Sequence, residues 1–144
     1  MKQKNLIILS GGFDPVHKGH IRMFKAASEL GKVIVGVNSD KWLIRKKNNF
    51  FMPFEERKEI LESIKFINNV YPFNDDDETA CDLIKNVYEE FNSSYNIFFG
   101  NGGDRTNETT PEVTFCLNNN IEMVWGLGGG KIQSSSILLK NWMK

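Results

Sequence analysis

The sequence predicts an α/β fold of three layers, α/β/α, built around a five-stranded parallel sheet. Short runs rich in Ile, Val and Phe alternate along the chain with segments of helical periodicity. This alternation is typical of βαβ units with right-handed crossovers. The apolar runs are also largely continuous, as in strands that helices cover on both faces. Together these two observations favour a parallel sheet buried between helices.

Five segments are predicted to be strands because they are short, apolar and separated by helical or polar stretches. They are residues 5–10, 32–38, 69–73, 96–99 and 121–125.

Four segments are predicted to be helices. In the first, apolar residues recur at every third position between residues 21 and 30, and Gly31 is well placed to end it. The second begins near Pro53, a residue tolerated in a first turn, and runs through "FEERKEILESI". The others cover residues 78–91 and 135–142, the last following a group of serine caps.

Composition predicts one cytoplasmic domain over residues 1–144. Apolar residues make up 40% and charged residues 25%, with 18 basic against 18 acidic side chains. This balance gives no reason to expect nucleic acid or a membrane as a partner. The first apolar stretch is too short for a signal peptide, and no later run approaches the roughly 18 apolar residues of a membrane helix. The two cysteines lie far apart in the sequence, which favours buried free thiols.

The segment "GGFDPVHKGH" follows the first predicted strand and contains both histidines of the chain. Ligands of parallel α/β sheets bind beyond the carboxyl ends of the strands. Gly11 and Gly12 allow a ligand to approach the backbone, and a helix that begins near His17 or Lys18 presents its N–H groups and positive dipole end. His17 and His20 are one turn apart, so both can donate to one phosphate group.

Two other interpretations of the pair remain open. One histidine could cap the turn while the other packs in the core. A zinc site is also conceivable, but two histidines are fewer than the protein ligands that zinc uses, and the cysteines lack supporting spacing.

The same segment resembles the GxFDxxHxGH signature of the cytidylyltransferase-like nucleotidyltransferase superfamily. The matching positions are Gly12, Phe13, Asp14, His17, Gly19 and His20. The resemblance extends to "VNSD" at 37–40, "RKKNNFFMPFEERKEIL" at 45–61, "NGGD" at 101–104 and "KIQSSSILL" at 131–139. It implies a Rossmann-like fold, nucleotidyl transfer and, from relatives, a homodimer.

Several catalytic roles are implied by the resemblance. His17 and His20 would contact the α- and β-phosphates, and Lys46 would close over them, with Arg45 and Lys47 as alternatives. From the residues alone, this basic run would be a solvated, mobile loop. Arg57 shares a helical stripe with apolar residues, so it either reaches the edge of the sheet or points at an anion. The resemblance implies contact with nucleotide phosphates.

Further binding roles are implied for the remaining loops. The serines at 134–136 form a helix N-cap cluster, and the resemblance assigns them to the β- and γ-phosphates. With these serines, the expected nucleotide contacts are Gly11, Gly12, Phe13, Asp14, Gly103, Asp104, Ser134, Ser135 and Ser136. The expected substrate contacts are Asp40 and Lys131. Asp40 would hold the acceptor or order its loop, whereas the loop around Asp104 could equally be a plain surface turn.

The implied reaction joins an NTP to a small phosphorylated polyol or sugar. A phosphate oxygen of the acceptor would attack the α-phosphorus in line and release pyrophosphate, with Mg²⁺ bridging the nucleotide phosphates. CTP is favoured over ATP. The alternatives are a catalytically silent nucleotide-binding module and a structural interaction domain.

Overall fold

The computed structural model describes residues 4–102, 110–129 and 133–143. Within these ranges, strands and helices alternate for most of the chain. Their order is β1 (Lys4–Gly11), α1 (Lys18–Leu30), β2 (Lys32–Val37), α2 (Asp40–Lys47), α3 (Phe54–Glu62), β3 (Asn69–Pro72), α4 (Cys81–Phe91), β4 (Tyr95–Gly102), α5 (Pro111–Asn118), β5 (Glu122–Leu127) and α6 (Ser135–Trp142).

The five strands form one parallel sheet in the order β3-β2-β1-β4-β5. The expected sheet is therefore confirmed, and every predicted strand overlaps an observed one. From β1 the chain builds the sheet outward through β2 and β3, and then returns to place β4 on the opposite side of β1. The strand order thus reverses between β1 and β4, where open α/β sheets have their ligand crevice at the carboxyl ends of the strands.

Alternate side chains of the central strands enter two separate cores. Ile7 and Leu9 of β1 pack with Phe24 of α1 and Leu61 of α3. Their neighbours Leu6 and Ile8 lie in the second core, against helices α4 and α5. Successive strand residues point to opposite faces, so continuous apolar strands require helices on both sides. The three-layer α/β/α arrangement follows.

Helix α2 replaces the mobile basic loop that the sequence suggested. Ser39 caps it, because the backbone N–H of Trp42 donates to the Ser39 hydroxyl at 3.1 Å. The basic residues of 45–47 occupy the last turn, where their charges complement the negative end of the helix dipole. Asn48, with a φ of 72°, ends the helix in the left-handed conformation.

Helix α5 was also missing from the prediction, although its start carries recognisable signals. Thr110 caps it and Pro111 occupies its first turn. The helix predicted at 78–91 begins instead at Cys81. Among the described residues, no helix is both long and apolar enough to cross a membrane.

Substituting Gly36 by Ala should destabilise the fold. Gly36 lies in β2, and a Cβ at this position would overlap the side chain of Leu83 on α4. We expect the free energy of unfolding in urea to fall by about 1–3 kcal/mol, the usual cost of overpacking a core. Lys41→Ala, at an exposed position of α2, should change it by less than about 0.5 kcal/mol. Equal stabilities of the two variants would contradict the packing of α4 on β2.

Candidate active site

The turn after β1 is built around the side chain of Phe13. Its ring is buried at 4% exposure, and its φ of 52° lies in the left-handed region. A Cβ on Gly11 would come within 2.9 Å of the ring, so glycine is needed there. The ring meets the edge of the His20 imidazole at a centroid distance of 4.9 Å and also packs against Phe24. Phe13 therefore fixes the orientation of His20.

Both histidines cap the start of α1. The Gly19 N–H donates to His17 Nδ1 at 3.1 Å, and the His17 N–H donates to His20 Nδ1 at 3.2 Å. Their rings stack with centroids 3.8 Å apart. Since Nδ1 is the acceptor in each ring, a neutral imidazole at either position carries its proton on Nε2. The capping role expected of one histidine is thus observed for both, in each case through Nδ1.

The pKa of His20 is strongly lowered, from 6.5 to about 3. Burial is the largest cause, and the nearby charges of His17 and Lys47 lower it further. His20 is therefore neutral at physiological pH and presents an Nε2–H donor.

Lys47 is the cation of α2 whose charge acts on His20. Burial lowers its pKa, and the nearby Asp14 carboxylate partly opposes this effect. By contrast, Lys46 is exposed, with its ammonium 5.8 Å from the centroid of the Trp42 ring. Arg45 pairs with Glu78. The charge of Lys47, one of the expected alternatives, acts on His20, and the choice of Lys46 as the catalytic cation stays a prediction.

Asp14 holds the segment between α2 and α3 against the β1 turn. It is 1% exposed, and its carboxylate accepts hydrogen bonds from the N–H groups of Phe51 at 2.6 Å and Met52 at 2.7 Å. The Asp14 carboxylate thus has partners in the protein's own backbone, and its expected contact with the nucleotide stays a prediction.

Arg57 connects three segments from beneath the turn. Its Nε donates to Met52 O at 2.9 Å, and its Nη1 donates to Gly12 O at 2.9 Å and Asn38 O at 2.8 Å. Its Nη2 pairs with Asp40 Oδ1 at 2.7 Å. The side chain is 0% exposed. It therefore does not reach the edge of the sheet, and the anion at which it points is the Asp40 carboxylate. Contact with a nucleotide phosphate stays a prediction.

Asp40 performs one of the two roles expected of it. Its carboxylate orders the end of β2 through the ion pair with Arg57, and its side chain keeps 34% exposure. Contact with the acceptor stays a prediction.

The start of α6 lies beside the histidine turn. The Ile137 N–H donates to Ser134 Oγ at 3.4 Å, which confirms Ser134 as the N-cap. The Ser135 hydroxyl donates to Pro15 O at 2.6 Å, while Ser136 is exposed. The structure thus brings the serine start of α6 into contact with the histidine turn. That either segment binds phosphate stays a prediction. The predicted residues Gly103, Asp104 and Lys131 lie outside the described residues.

Asp75 is a site-supporting residue that sequence reasoning missed. It is 2% exposed and binds the Asn38 amide and both the N–H and the hydroxyl of Ser39, at 2.7–3.0 Å. Burial alone would raise its pKa, but these hydrogen bonds and the charge of Arg45 lower it below its usual value. The acidic run "DDDE" was the only signal in the sequence, and it does not indicate which carboxylate is buried.

Clustered metal ligands are absent from the described ranges: no group of three or more His, Cys, Asp or Glu side chains is arranged to hold a metal ion there. The zinc interpretation of the histidine pair therefore gains no support from neighbouring side chains.

Comparison with known proteins agrees with this geometry. The pattern of the cytidylyltransferase-like family matches residues 8–125, most of the chain and the whole histidine turn. The chain belongs to the cytidylyltransferase-like family. The expected family and its enzyme class, nucleotidyltransferase, are thereby confirmed.

Individual relatives support the same family. Glycerol-3-phosphate cytidylyltransferase of Bacillus subtilis is 30% identical over 86 residues, which span 59% of this chain and 67% of that protein. FAD synthase of Thermococcus kodakarensis is 36% identical over 73 residues, which span 49% of each protein. The fold is similar to the lipopolysaccharide core biosynthesis protein of Thermoplasma volcanium, with a TM-score of 0.65, 17% identity and coverage of 85% of this chain and 96% of the other.

Acid should weaken the fold through His20. The folded pKa of about 3 lies below the unfolded value of 6.5, so the unfolded chain binds the proton first as the pH falls. The stability that the neutral ring contributes is present above pH 6.5 and is lost toward pH 3. His20→Asn retains an acceptor near Nδ1 but does not titrate. Between pH 6.5 and 5, the wild type should lose about 2 kcal/mol relative to this variant.

Urea unfolding at several pH values measures this difference. Asp75, Lys47 and the other titrating groups remain in both proteins, so most of their effects cancel. Parallel pH profiles of the wild type and His20→Asn would show that His20 is not held neutral by the fold.

Proposed function

We propose that the protein transfers a nucleoside monophosphate from CTP or ATP to the phosphate of a small polyol or sugar phosphate and releases pyrophosphate. The observation that carries this proposal is the histidine turn, where the rings of His17 and His20 stack with centroids 3.8 Å apart and the charge of Lys47 acts on His20. The turn lies at the amino end of α1 and the carboxyl end of β1, beside the reversal of the strand order. Such a position suits a nucleotide phosphate.

In this reaction, an oxygen of the acceptor's phosphate forms a bond to the α-phosphorus. The bond between the α-phosphorus and the bridging oxygen breaks on the opposite side, and its electrons leave with pyrophosphate. A phosphomonoester is already anionic at neutral pH, so the step requires no strong general base. The two described carboxylates nearest the turn, Asp14 and Asp40, are bound by backbone amides and Arg57. Catalysis would therefore rest on positioning and on donors to the transition state.

Each donor has a place in this scheme. The Nε2–H groups of His17 and His20 would donate to oxygens of the α- and β-phosphates as negative charge builds there. Lys47 would neutralise that charge from the end of α2. Backbone N–H groups of the Gly11–Phe13 turn and the serine start of α6 would receive the remaining phosphates, since Ser135 already touches this turn.

Mg²⁺ would accompany the nucleotide. The carboxylates of Asp14 and Asp40 already have protein partners, so phosphate oxygens and water would supply most of the ligands of the ion. When bound, it would reduce the charge repulsion between the phosphates and the incoming acceptor.

The order CTP before ATP follows from the family and from the glycerol-3-phosphate cytidylyltransferase relative. That relative also favours a small polyol phosphate as the acceptor. The FAD synthase relatives support ATP as the alternative nucleotide substrate, because FAD contains an adenylyl group.

Pyrophosphate release with the four NTPs and a panel of phosphorylated polyols and sugars tests this function. We expect one NTP and acceptor pair to support turnover. His17→Ala, His20→Ala and Lys47→Ala should each lower kcat by about 10²–10³-fold, the usual cost of removing a transition-state donor. Lys46→Ala is the matched control, since it removes the same charge one residue away, and it should change kcat less than about threefold.

Three results would contradict parts of the proposal. NTP binding without pyrophosphate release from any pair would favour a silent nucleotide-binding module. A melting temperature that no NTP raises would favour a structural domain. A larger loss with Lys46→Ala than with Lys47→Ala would restore Lys46 as the catalytic cation.

A further inference from the structure

The loop after β3 is hydrogen-bonded to the amino end of helix α2. Ser39, the N-cap of α2, accepts from Trp42 N–H and donates its own hydroxyl proton to Asp75 Oδ1 at 2.7 Å. The Ser39 N–H donates to the other oxygen of Asp75 at 2.8 Å. Because Asp75 is buried and charged, these bonds are stronger than those between neutral groups.

The same loop also binds the last turn of α2, through a hydrogen bond and an ion pair of Arg45. Arg45 Nη2 donates to the backbone carbonyl of Asp75 at 2.9 Å, and Arg45 Nε pairs with Glu78 Oε1 at 2.6 Å. Arg45 is two residues before Lys47. The segment from Asp75 to Glu78 thus holds both ends of a helix that has only eight residues.

Helix α2 depends on such contacts for its position. Isolated helices of about two turns are unstable in water, so packing and capping must fix both its length and its register. Each residue of a helix turns by about 100° and rises about 1.5 Å. A small rotation or fraying of the last turn would therefore move the Lys47 ammonium, whose charge acts on His20 and interacts with Asp14.

We propose that Asp75 and Arg45 are positioning residues, which hold α2 at both ends so that Lys47 stays beside the histidine pair. Neither residue needs to touch the nucleotide. The catalytic consequence rests on the proposed function, whereas the placement of Lys47 does not.

A purely structural role makes a different prediction. The Arg45 side chain is 38% exposed, and ion pairs at such positions contribute only about 0–1 kcal/mol to stability. Arg45→Ala should therefore fold normally at assay temperature. If Arg45 only supported the fold, kcat of the folded variant would be unchanged. If it positions Lys47, kcat falls while the KM for the nucleotide changes little.

A double-mutant cycle tests whether Arg45 acts through Lys47. We expect Arg45→Ala to lower kcat about tenfold in the wild-type background and less than about twofold in the Lys47→Ala background. Arg45→Lys should recover part of the loss, because it retains the charge facing Glu78. Lys58→Ala is the control, since it removes the exposed Lys58–Glu62 pair of α3 and should change neither background. Equal losses from Arg45→Ala in both backgrounds would overturn the proposal.

A second measurement does not depend on turnover. Lysines labelled by reductive ¹³C-methylation are titrated by NMR, and Lys47→Arg assigns the Lys47 signal. We expect Lys47 to titrate below the other lysines in the wild type, and closer to them in Arg45→Ala and in Asp75→Asn. Lys58→Ala should leave the Lys47 titration unchanged.

The kinetic and NMR measurements together distinguish a failure of the positioning proposal from a failure of the proposed function. A shifted Lys47 titration in an inactive wild type would support the positioning and reject the proposed function. An active wild type whose Lys47 titration is the same in Arg45→Ala would reject the positioning alone. A Lys47 titration that is unchanged in both variants of an inactive wild type would reject both.

Discussion

The buried guanidinium of Arg57 is the interaction on which the site depends. A charge without solvent exposure is tolerated only when it is paired and hydrogen-bonded. Its partners are Asp40 and the carbonyls of Gly12, Asn38 and Met52. These acceptors come from three separate segments, so the charge is satisfied only when the segments meet. The energy of burying one arginine thereby fixes the loops after β1 and β2 and the approach to α3.

The side chains proposed to take part in catalysis lie on the segments that Arg57 joins, and several of them have two roles. Each histidine uses Nδ1 to cap α1, and the neutral ring of His20 holds its proton on Nε2. Phe13 orients His20, and burial keeps that ring uncharged. Asp14 closes the opposite side of the turn by holding the segment that leads from Lys47 toward Arg57. The donors are therefore oriented before a nucleotide binds, which is how preorganised sites lower the cost of reorganisation.

Sequence periodicity predicted the parts of the fold that burial determines. The five strands, the helices α1, α3, α4 and α6 and the histidine turn were all predicted because long apolar patterns and a distinctive motif specify them. Helices α2 and α5 were missed because they are short and are set by caps and by contacts with distant loops. The sequence could not decide between Lys46 and Lys47 for the same reason, since the choice depends on the register of a helix that the pattern did not show.

The position of Arg57 also lay beyond the sequence. Its location on an apolar stripe was visible, but three of its four acceptors are backbone carbonyls, which every residue carries. An arginine that binds phosphate and an arginine that binds the backbone carbonyls of neighbouring loops have the same sequence pattern. Only the burial of the side chain and the distances to its acceptors distinguish them.

The state of the two imidazoles in the ligand-free protein tests this account most directly. Long-range ¹H–¹⁵N NMR reports which ring nitrogen carries the proton, and the chain has only two histidines to assign. The structure requires His20 to be neutral at pH 7 with its proton on Nε2, and addition of Mg²⁺ with CTP or ATP should shift the Nε2 signals of both rings. An imidazolium at His20, a proton on its Nδ1, or Nε2 signals unchanged by a bound nucleotide would contradict a preorganised pair of donors.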